Sequence, residues 1–309
     1  MNELKVSLNP VEVEEIKREL EKLNPSNYDN SIVLVQHGCP GQCTFCLVGK
    51  QKPVYRNIED VISEIEIISR YNNSGKLVLI APVFLYDLSW VRKFCRQIIE
   101  KEISIIWETD IRADFNHTNE NFDTLQLMRR AGCKILYIGA ETYDPQTMKR
   151  IKKKYKIEDV IYTSKILMEM GFDVVHQLLI GLPGDSDDSY MTTYEIMKNF
   201  PLYINHNIQI LRPHPGTDVR KQAEKDGLLP QDFDDYQLLQ SYVDKAVMGT
   251  GPLTRRQVTS WYKAFKYLYY HRRITRRIKS GNLNPLVDFP KLMLAGGLTW
   301  FHLKMRKFR

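Results

Sequence analysis

The sequence has little cysteine and no long apolar stretch. Its five cysteines among 309 residues are too few, and odd in number, for the disulfide framework of a small secreted protein. No apolar run reaches the roughly 20 residues that a membrane-spanning helix needs. The first 21 residues are charged and contain no apolar segment of the secretory-signal kind. We therefore expect a protein of a reducing compartment, the cytoplasm.

Acidic residues are almost missing from the C-terminal part. Residues 251–309 contain fourteen Lys or Arg residues and one acidic residue, Asp288, whereas the whole chain has a net charge of +7. The basic charge thus belongs to this tail, and the rest of the chain is net acidic. A short apolar and aromatic stretch flanked by cations, 291–303, is typical of an interfacial helix. It predicts contact with an anionic membrane; RNA binding and a helix that closes the fold are the alternatives.

Apolar runs and amphipathic segments alternate regularly through the middle of the chain. The pattern predicts strands at 31–36, 77–81, 103–107, 133–138, 173–180 and 203–211, and helices at 57–71, 88–100, 119–131, 157–170 and 187–199. The strands are mostly continuously apolar, which indicates a parallel sheet covered by helices on both faces. The right-handed crossover rule leaves a doubly wound sheet or a curved barrel. We expect a helical lead-in at 1–30, a core at 31–227 and a basic helical extension at 228–309.

Local signals mark several helix ends. Asp87 is expected to cap the helix at 88–100, and Gly132 to follow the end of the helix at 119–131. Thr254 and Gln257 form a capping box that predicts the start of a helix in the extension. We expect this helix to pack against the core, with Arg272, Arg273, Arg276 and Arg277 on its solvated side.

Three cysteines lie within eight residues directly after the first predicted strand: Cys39, Cys43 and Cys46. They cannot all pair as disulfides, but they can converge on one soft metal centre. Zinc usually takes four ligands, and no partner pair at finger spacing follows. An iron–sulfur cluster held by three thiolates would keep one iron open for a small molecule. A zinc loop and three free thiols are the alternatives.

The spacing of three residues and then two, with an aromatic residue before the last cysteine, resembles the radical S-adenosylmethionine (SAM) family. Further motifs at the predicted strand ends resemble a branch usually attached to a cobalamin-binding domain: 107–114, 138–142, 180–185 and 212–217. The resemblance implies an α/β fold, a partial (β/α)6 barrel with parallel strands and here a C-terminal helical extension. About thirty residues precede the first strand, which is too few for a cobalamin-binding domain. We therefore expect this chain to lack that domain.

The resemblance also implies the cofactors and several binding residues. Cys39, Cys43 and Cys46 would hold one [4Fe–4S] cluster. Phe45 would lie near the adenine of SAM, and backbone near Gly181 would contact the same ring. The carbonyls of Ala81 and Pro82 would accept hydrogen bonds from the SAM amine, although the family's usual Gly-Gly-Glu is absent there. Around Gly181, the alternative to adenine binding is an ordinary turn between a strand and a helix.

Two charged strand-end residues have both a functional and an ordinary interpretation. By resemblance, Glu141 would accept hydrogen bonds from the SAM ribose, and Arg112 would bind the methionyl carboxylate. The ordinary interpretations are a solvated glutamate and a local ion pair of Arg112 with Asp110 or Asp114. Lys153, within a run of lysines, is interpreted as part of a solvated basic helix end.

The resemblance predicts an enzyme in which the reduced cluster cleaves SAM to a 5′-deoxyadenosyl radical. That radical would abstract hydrogen from an unidentified substrate, and the basic tail suggests a lipid. One alternative is a radical methyltransferase that works with a separate cobalamin protein; the other is a non-catalytic iron–sulfur or zinc-binding module. The resemblance also implies an electron donor of the flavodoxin or ferredoxin type. No catalytic residue is assigned from the sequence.

Overall fold

A computed structural model describes residues 31–71, 75–115, 118–201, 204–231, 233–235 and 245–282. The predicted lead-in at 1–30 and the apolar stretch at 291–303 lie outside these residues. The chain divides into two compact units. The first unit comprises residues 1–40, 48–138 and 162–174, and the second comprises residues 41–47, 139–161 and 175–309. Packing is described within each unit separately.

Six parallel strands form one sheet, in which they lie in the order of the chain. Together with two short antiparallel strands, they span β1 Ser31–Leu34, β2 Gln36–His37, β3 Val54–Tyr55, β4 Lys76–Ile80, β5 Ile106–Ile111, β6 Cys133–Glu141, β7 Asp173–Ile180 and β8 Asn205–Ile210. Helices connect consecutive parallel strands, as right-handed crossovers require. This is the predicted partial (β/α)6 barrel, in which functional residues follow the C-terminal strand ends.

The helices of the described residues begin and end close to the predicted positions. They span α1 Ile58–Tyr71, α2 Leu88–Glu100, α3 Asn119–Arg130, α4 Pro145–Arg150, α5 Ile157–Glu169, α6 Asp187–Asn199, α7 Asp218–Lys225 and α8 Arg255–Lys279. Helix α7 was not predicted. Two helix starts show the capping hydrogen bonds that their sequences predict. Asp87 accepts a hydrogen bond from the Trp90 N–H at the start of α2. Thr254 and Gln257 form the predicted capping box at the start of α8.

The third predicted strand was placed about three residues too early. Residues 101–105 form the turn after α2, where Glu102 has a φ of 52° and Ile103 donates a hydrogen bond to the Ile98 carbonyl. The strand, β5, instead begins at Ile106 and includes Glu108 and Asp110. The prediction followed the apolar run and missed these polar residues, because a barrel interior accepts polar side chains on alternate positions of a strand.

One arginine of the C-terminal helix was wrongly placed on the solvated side. Arg272 is buried, with 6% of its surface exposed. Its guanidinium donates hydrogen bonds to the carbonyls of Lys198, Phe200 and Pro201, at 2.8, 2.9 and 2.8 Å. These carbonyls lie in the last turn of α6 and just after it, where helix carbonyls lack partners within the helix and the helix dipole favours a cation. Arg272 thus ties α8 to the end of α6.

Helix α8 packs against β8 and α6 within the second unit. Its Trp261 indole donates a 2.7 Å hydrogen bond to Asp187 at the start of α6, and its ring lies 5.6 Å from that of Tyr190. These contacts hold α8 against α6 in the second unit. No helix in the described ranges is long and apolar enough to cross a bilayer.

Candidate functional site

Within the first unit, Cys39 follows the short strand β2 in a tightly held turn. Gly38 has a φ of +79°, and a Cβ atom there would stand 2.5 Å from the Lys52 carbonyl oxygen. The Gln36 side chain donates a 2.6 Å hydrogen bond to the Gly38 carbonyl, and the Cys39 carbonyl accepts one of 3.0 Å from the Gln51 N–H. These bonds fix the backbone that carries the first predicted thiolate.

Within the second unit, Cys43 and Cys46 belong to a loop, 41–47, that is held from two sides. The Thr44 N–H donates to the Ile151 carbonyl at 3.1 Å, and the Thr44 carbonyl accepts from the Val219 N–H at 2.9 Å. Phe45 packs against a buried apolar cluster that contains Ile151 and Val219. Anchoring of this kind holds both thiols in place before any cofactor binds.

The thiols have the chemistry that an iron–sulfur cluster requires. All five cysteines lie in the described residues and none forms a disulfide. Within the same residues, no three His, Cys, Asp or Glu side chains are grouped closely enough to hold a single metal ion. An iron–sulfur cluster does not require such close grouping, because each thiolate binds a different iron atom. The binding of one cluster by Cys39, Cys43 and Cys46 stays a prediction.

Glu141 and Lys153 form a nearly buried ion pair in the second unit. Their side chains approach to 2.8 Å, and only 12% and 8% of them, respectively, are exposed. Glu141 ends β6 with a φ of 60°, a conformation that is uncommon for a residue with a side chain. The interpretation of Lys153 as a solvated lysine was wrong, because its ammonium pairs with the buried carboxylate.

The Lys153 ammonium also lies close to the cysteine loop. It is 5.9 Å from the centre of the Phe45 ring and 5.0 Å from that of Tyr155, within reach of cation–π attraction. Burial lowers the pKa of Lys153, but its interaction with the Glu141 carboxylate, with smaller contributions from Tyr155 and Cys43, outweighs this, and the net effect is a raised pKa. Lys153 therefore remains a cation near the Phe45 ring of the cysteine loop. Sequence reasoning missed this role because it judged the residue by its lysine-rich neighbours.

The glycine-containing turn after β7 is held by a buried carboxylate. Gly181 has a φ of +102°, and its N–H donates a 2.9 Å hydrogen bond to the Tyr190 hydroxyl. Asp185 is 2% exposed and accepts hydrogen bonds from the Leu182 N–H at 3.0 Å and the Thr147 hydroxyl at 3.1 Å. Asp185 and Tyr190 thus set the backbone where the resemblance places the adenine.

Burial raises the pKa of Asp185 to about 7, although Thr147, Leu182, Tyr190 and Arg150 each oppose the shift. The folded state therefore binds a proton that the unfolded chain releases near pH 4. Stability should fall as pH rises from about 4 to about 7, by at most about 1.4 kcal/mol per pH unit for one proton.

We expect Asp185→Asn to remove this contribution to the pH dependence. The check is the free energy of unfolding in urea, measured from pH 4.5 to 8. The control is Asp188→Asn, which changes an exposed carboxylate in the next helix and should leave the slope unchanged. Equal slopes in the wild type and Asp185→Asn would contradict the assignment.

The remaining predicted residues lie in the first unit. Arg112 forms a bidentate ion pair with Asp114, with Nε to Oδ1 at 2.7 Å and Nη2 to Oδ2 at 2.6 Å. This is the local pair left open by the sequence, and the role of Arg112 toward a SAM carboxylate stays a prediction. Ala81 and Pro82 directly follow β4, the former fully buried and the latter half-buried. Their role toward the SAM amine likewise stays a prediction.

The second unit contains a cavity of about 790 Å³ next to Phe45 and Glu141. This is a usual size for a small-molecule site. Its walls include polar residues that sequence reasoning did not single out, from β7, β8 and α8: Gln177, Asn207, Gln209, Tyr262 and Lys266. The alternation of Asn207 and Gln209 with Ile208 and Ile210 along β8 was the signal that could have found these two amides, because residues two apart on a strand share a face.

A known protein family matches the part of the chain that contains most of these residues. The model of the radical SAM superfamily matches residues 33–197, more than half of the chain. The matched segment contains the three clustered cysteines, Glu141 and Gly181. It ends before β8 and α8, so the family match does not cover the polar wall of the cavity contributed by those elements.

Curated relatives resemble the chain at low identity. An anaerobic magnesium-protoporphyrin IX monomethyl ester cyclase from Rubrivivax gelatinosus is 22% identical over 243 residues, which are 78% of this chain and 43% of the relative. A bacteriochlorophyllide d C-12(1)-methyltransferase from Chlorobaculum tepidum is 24% identical over 263 residues, 82% of this chain and 54% of the relative. The chain spans about half the length of these relatives.

Among solved structures, the cobalamin-dependent S-adenosylmethionine radical enzyme OxsB, bound to aqua-cobalamin and SAM, matches with a TM-score of 0.59. The match covers 85% of this chain and 44% of OxsB at 14% sequence identity. At this identity, the likeness establishes the fold.

Proposed function

Because the chain belongs to the radical SAM superfamily, whose model matches more than half of it, we propose that it removes a hydrogen atom from an unactivated C–H bond of its substrate. Enzymes of this superfamily use a [4Fe–4S] cluster and SAM, which when bound supply a 5′-deoxyadenosyl radical after one-electron reduction. The observation that carries the proposal is the position of the cysteine motif, 39–46, inside the matched segment. Reduction of the cluster requires an electron donor, and we propose one of the flavodoxin or ferredoxin type.

We assign the protein's own residues to holding and orienting the cofactors. Cys39, Cys43 and Cys46 would bind the cluster as thiolates, with Lys153 balancing part of their negative charge. Glu141 would accept hydrogen bonds from a ribose diol, since an ionised carboxylate is an acceptor only. Backbone near Gly181, in the turn that Asp185 and Tyr190 hold, would contact the adenine of SAM.

A second candidate is radical methyl transfer with cobalamin supplied from outside the described residues. Its support is the similarity to a curated methyltransferase and to the fold of a cobalamin-dependent enzyme. The two candidates differ in what becomes of the SAM methyl group. In methyl transfer, a SAM molecule that loses its methyl group leaves as S-adenosylhomocysteine, whereas hydrogen abstraction leaves 5′-deoxyadenosine and methionine.

The test is anaerobic reconstitution with iron and sulfide, then reduction with deuterated-methyl SAM, with and without methylcobalamin. Mass spectrometry should detect 5′-deoxyadenosine in the reduced sample and none without reductant. Formation of S-adenosylhomocysteine that depends on cobalamin would favour the second candidate. A fully loaded cluster that leaves SAM intact under both conditions would contradict both.

A further inference from the structure

A buried side-chain amide in the first unit joins the turn that carries Cys39 to the turn that follows β4. Gln36 is 1% exposed, and its Nε2 donates hydrogen bonds of 2.9 and 2.6 Å to the carbonyls of His37 and Gly38. Its Oε1 accepts a hydrogen bond of 3.2 Å from the Val83 N–H, which lies 47 residues further along the chain. One side chain thus binds both segments.

The partners of this amide fix its orientation. The carbonyls of His37 and Gly38 can only accept hydrogen bonds, and the Val83 N–H can only donate one. A flipped amide would place its oxygen against the two carbonyl oxygens and its NH2 group against the N–H. The position therefore requires a side chain that ends in both a donor and an acceptor, which the amide of Gln36 supplies.

Tyr55 holds the same residue of the second turn by its carbonyl. Tyr55 is the register partner of Gln36 in the antiparallel pair of β2 and β3. Its hydroxyl donates to the carbonyls of Val83 at 3.1 Å and Phe84 at 2.9 Å, and accepts a 3.2 Å hydrogen bond from the Asp87 N–H. Burial raises the pKa of Tyr55 to about 12, so the hydroxyl keeps its proton. Paired positions of one short ribbon thus hold the N–H and the carbonyl of Val83.

Both segments belong to the predicted cofactor site. Cys39 would bind the cluster, and the carbonyls of Ala81 and Pro82, which directly precede Val83, would bind the amine of SAM. A cofactor that bridges two segments of the chain needs them at a fixed separation. A misplacement of about 1 Å between reacting groups can reduce a rate about 100-fold.

We propose that Gln36 and Tyr55 are positioning residues for SAM. They fix the carbonyls of Ala81 and Pro82 relative to the Cys39 turn, so that the amine is held at a set distance from the first cluster ligand. This inference rests on the proposed function, since it assigns a role in binding the same cofactor.

The test measures SAM binding without turnover, so that it can fail independently of the radical reaction. Equilibrium dialysis of the reconstituted, oxidised protein compares SAM with its deaminated analogue, in which hydrogen replaces the amino group. Gln36→Met keeps a side chain of similar length without the amide. We expect it to retain the cluster and to raise the Kd of SAM about tenfold, the equivalent of 1.4 kcal/mol. The Kd of the analogue should stay the same, because the displaced carbonyls bind only the amine.

Tyr55→Phe is a second variant, which leaves the hydrogen bonds of Gln36 in place. It should raise the Kd of SAM about threefold, as the loss of one hydrogen bond of average strength does, again with no change for the analogue. If Gln36→Met does not assemble the cluster, Tyr55→Phe decides the outcome. The matched control is Thr124→Val, which removes a buried hydroxyl that donates a 2.8 Å hydrogen bond to the Glu120 carbonyl within α3 of the same unit. It should leave both Kd values unchanged.

Three results would overturn the proposal: a SAM affinity that neither variant changes, an equal loss of affinity for SAM and the analogue, or the same loss in Thr124→Val. The last two would show that the hydrogen bonds stabilise the fold without placing the amine. 5′-Deoxyadenosine formation by the wild type, assayed separately, reports whether the proposed function itself holds.

Discussion

Replacement of Cys43 by alanine should abolish cluster binding and with it SAM cleavage. The reconstituted wild type should contain four iron atoms per chain, the content of one [4Fe–4S] cluster. Removal of one of three thiolates leaves too few protein ligands to retain it. We expect less than about one iron per chain and a fall in 5′-deoxyadenosine of at least about 1,000-fold, because the cofactor supplies most of the rate acceleration.

The matched control is Cys95→Ala, which removes a thiol from the interior of the first unit. Cys95 is fully buried, and burial raises the pKa of its thiol, so it is poorly suited to supply the thiolate that binds iron. This variant should keep four irons and lose about 1 kcal/mol of stability to the small cavity. Circular dichroism of Cys43→Ala should match that of the wild type. Four irons and normal turnover in folded Cys43→Ala would contradict the ligand assignment.

The second large effect should follow from replacing Lys153 by methionine. The change removes the cation of a nearly buried ion pair and leaves the Glu141 carboxylate without it. Breaking a buried pair by removing one partner typically costs about 3–5 kcal/mol, because the remaining charge stays desolvated. The check is the free energy of unfolding in urea at pH 7.5. Lys154→Met, the same substitution at the exposed neighbouring residue, should change it by less than about 0.5 kcal/mol.

A double-mutant cycle separates the pair from its surroundings. Glu141→Gln/Lys153→Met carries no unpaired charge and should be more stable than Lys153→Met alone. If Glu141 binds the SAM ribose, both Glu141→Gln and Lys153→Met should also weaken SAM binding, by about tenfold for a loss of 1.4 kcal/mol. Additive effects of the two substitutions on stability would show that the ion pair contributes nothing.

Local sequence signals were enough for most secondary-structure boundaries. Asp87 and the Thr254–Gln257 pair predicted helix starts because capping depends on residues within one turn. Gly132 was predicted to follow a helix end, and it has the positive φ, +95°, that a glycine in this position commonly adopts. Such positions are decided by the chain's own neighbouring atoms, so a single sequence can identify them.

Residues whose partners are distant in the chain were interpreted less well. Lys153 and Arg272 were both judged by their basic neighbours, yet one pairs with Glu141 and the other binds the carbonyls that end α6. The early placement of β5 has a related cause, because the polar side chains of that strand depend on which face the barrel encloses. In each case the partner comes from another element, and nothing in the local spacing indicates it.

The sequence by itself determined the alternation of strands and helices, the cysteine motif and hence the family, since these depend on hydrophobic period and short spacing. Only the tertiary structure decided which charges are compensated and what lines the cavity. Glu141 and Lys266 are 125 residues apart in the sequence, yet both line one cavity in the second unit, together with Arg212. Both properties depend on distances in space between residues far apart in the chain, so they could emerge only after the chain was folded.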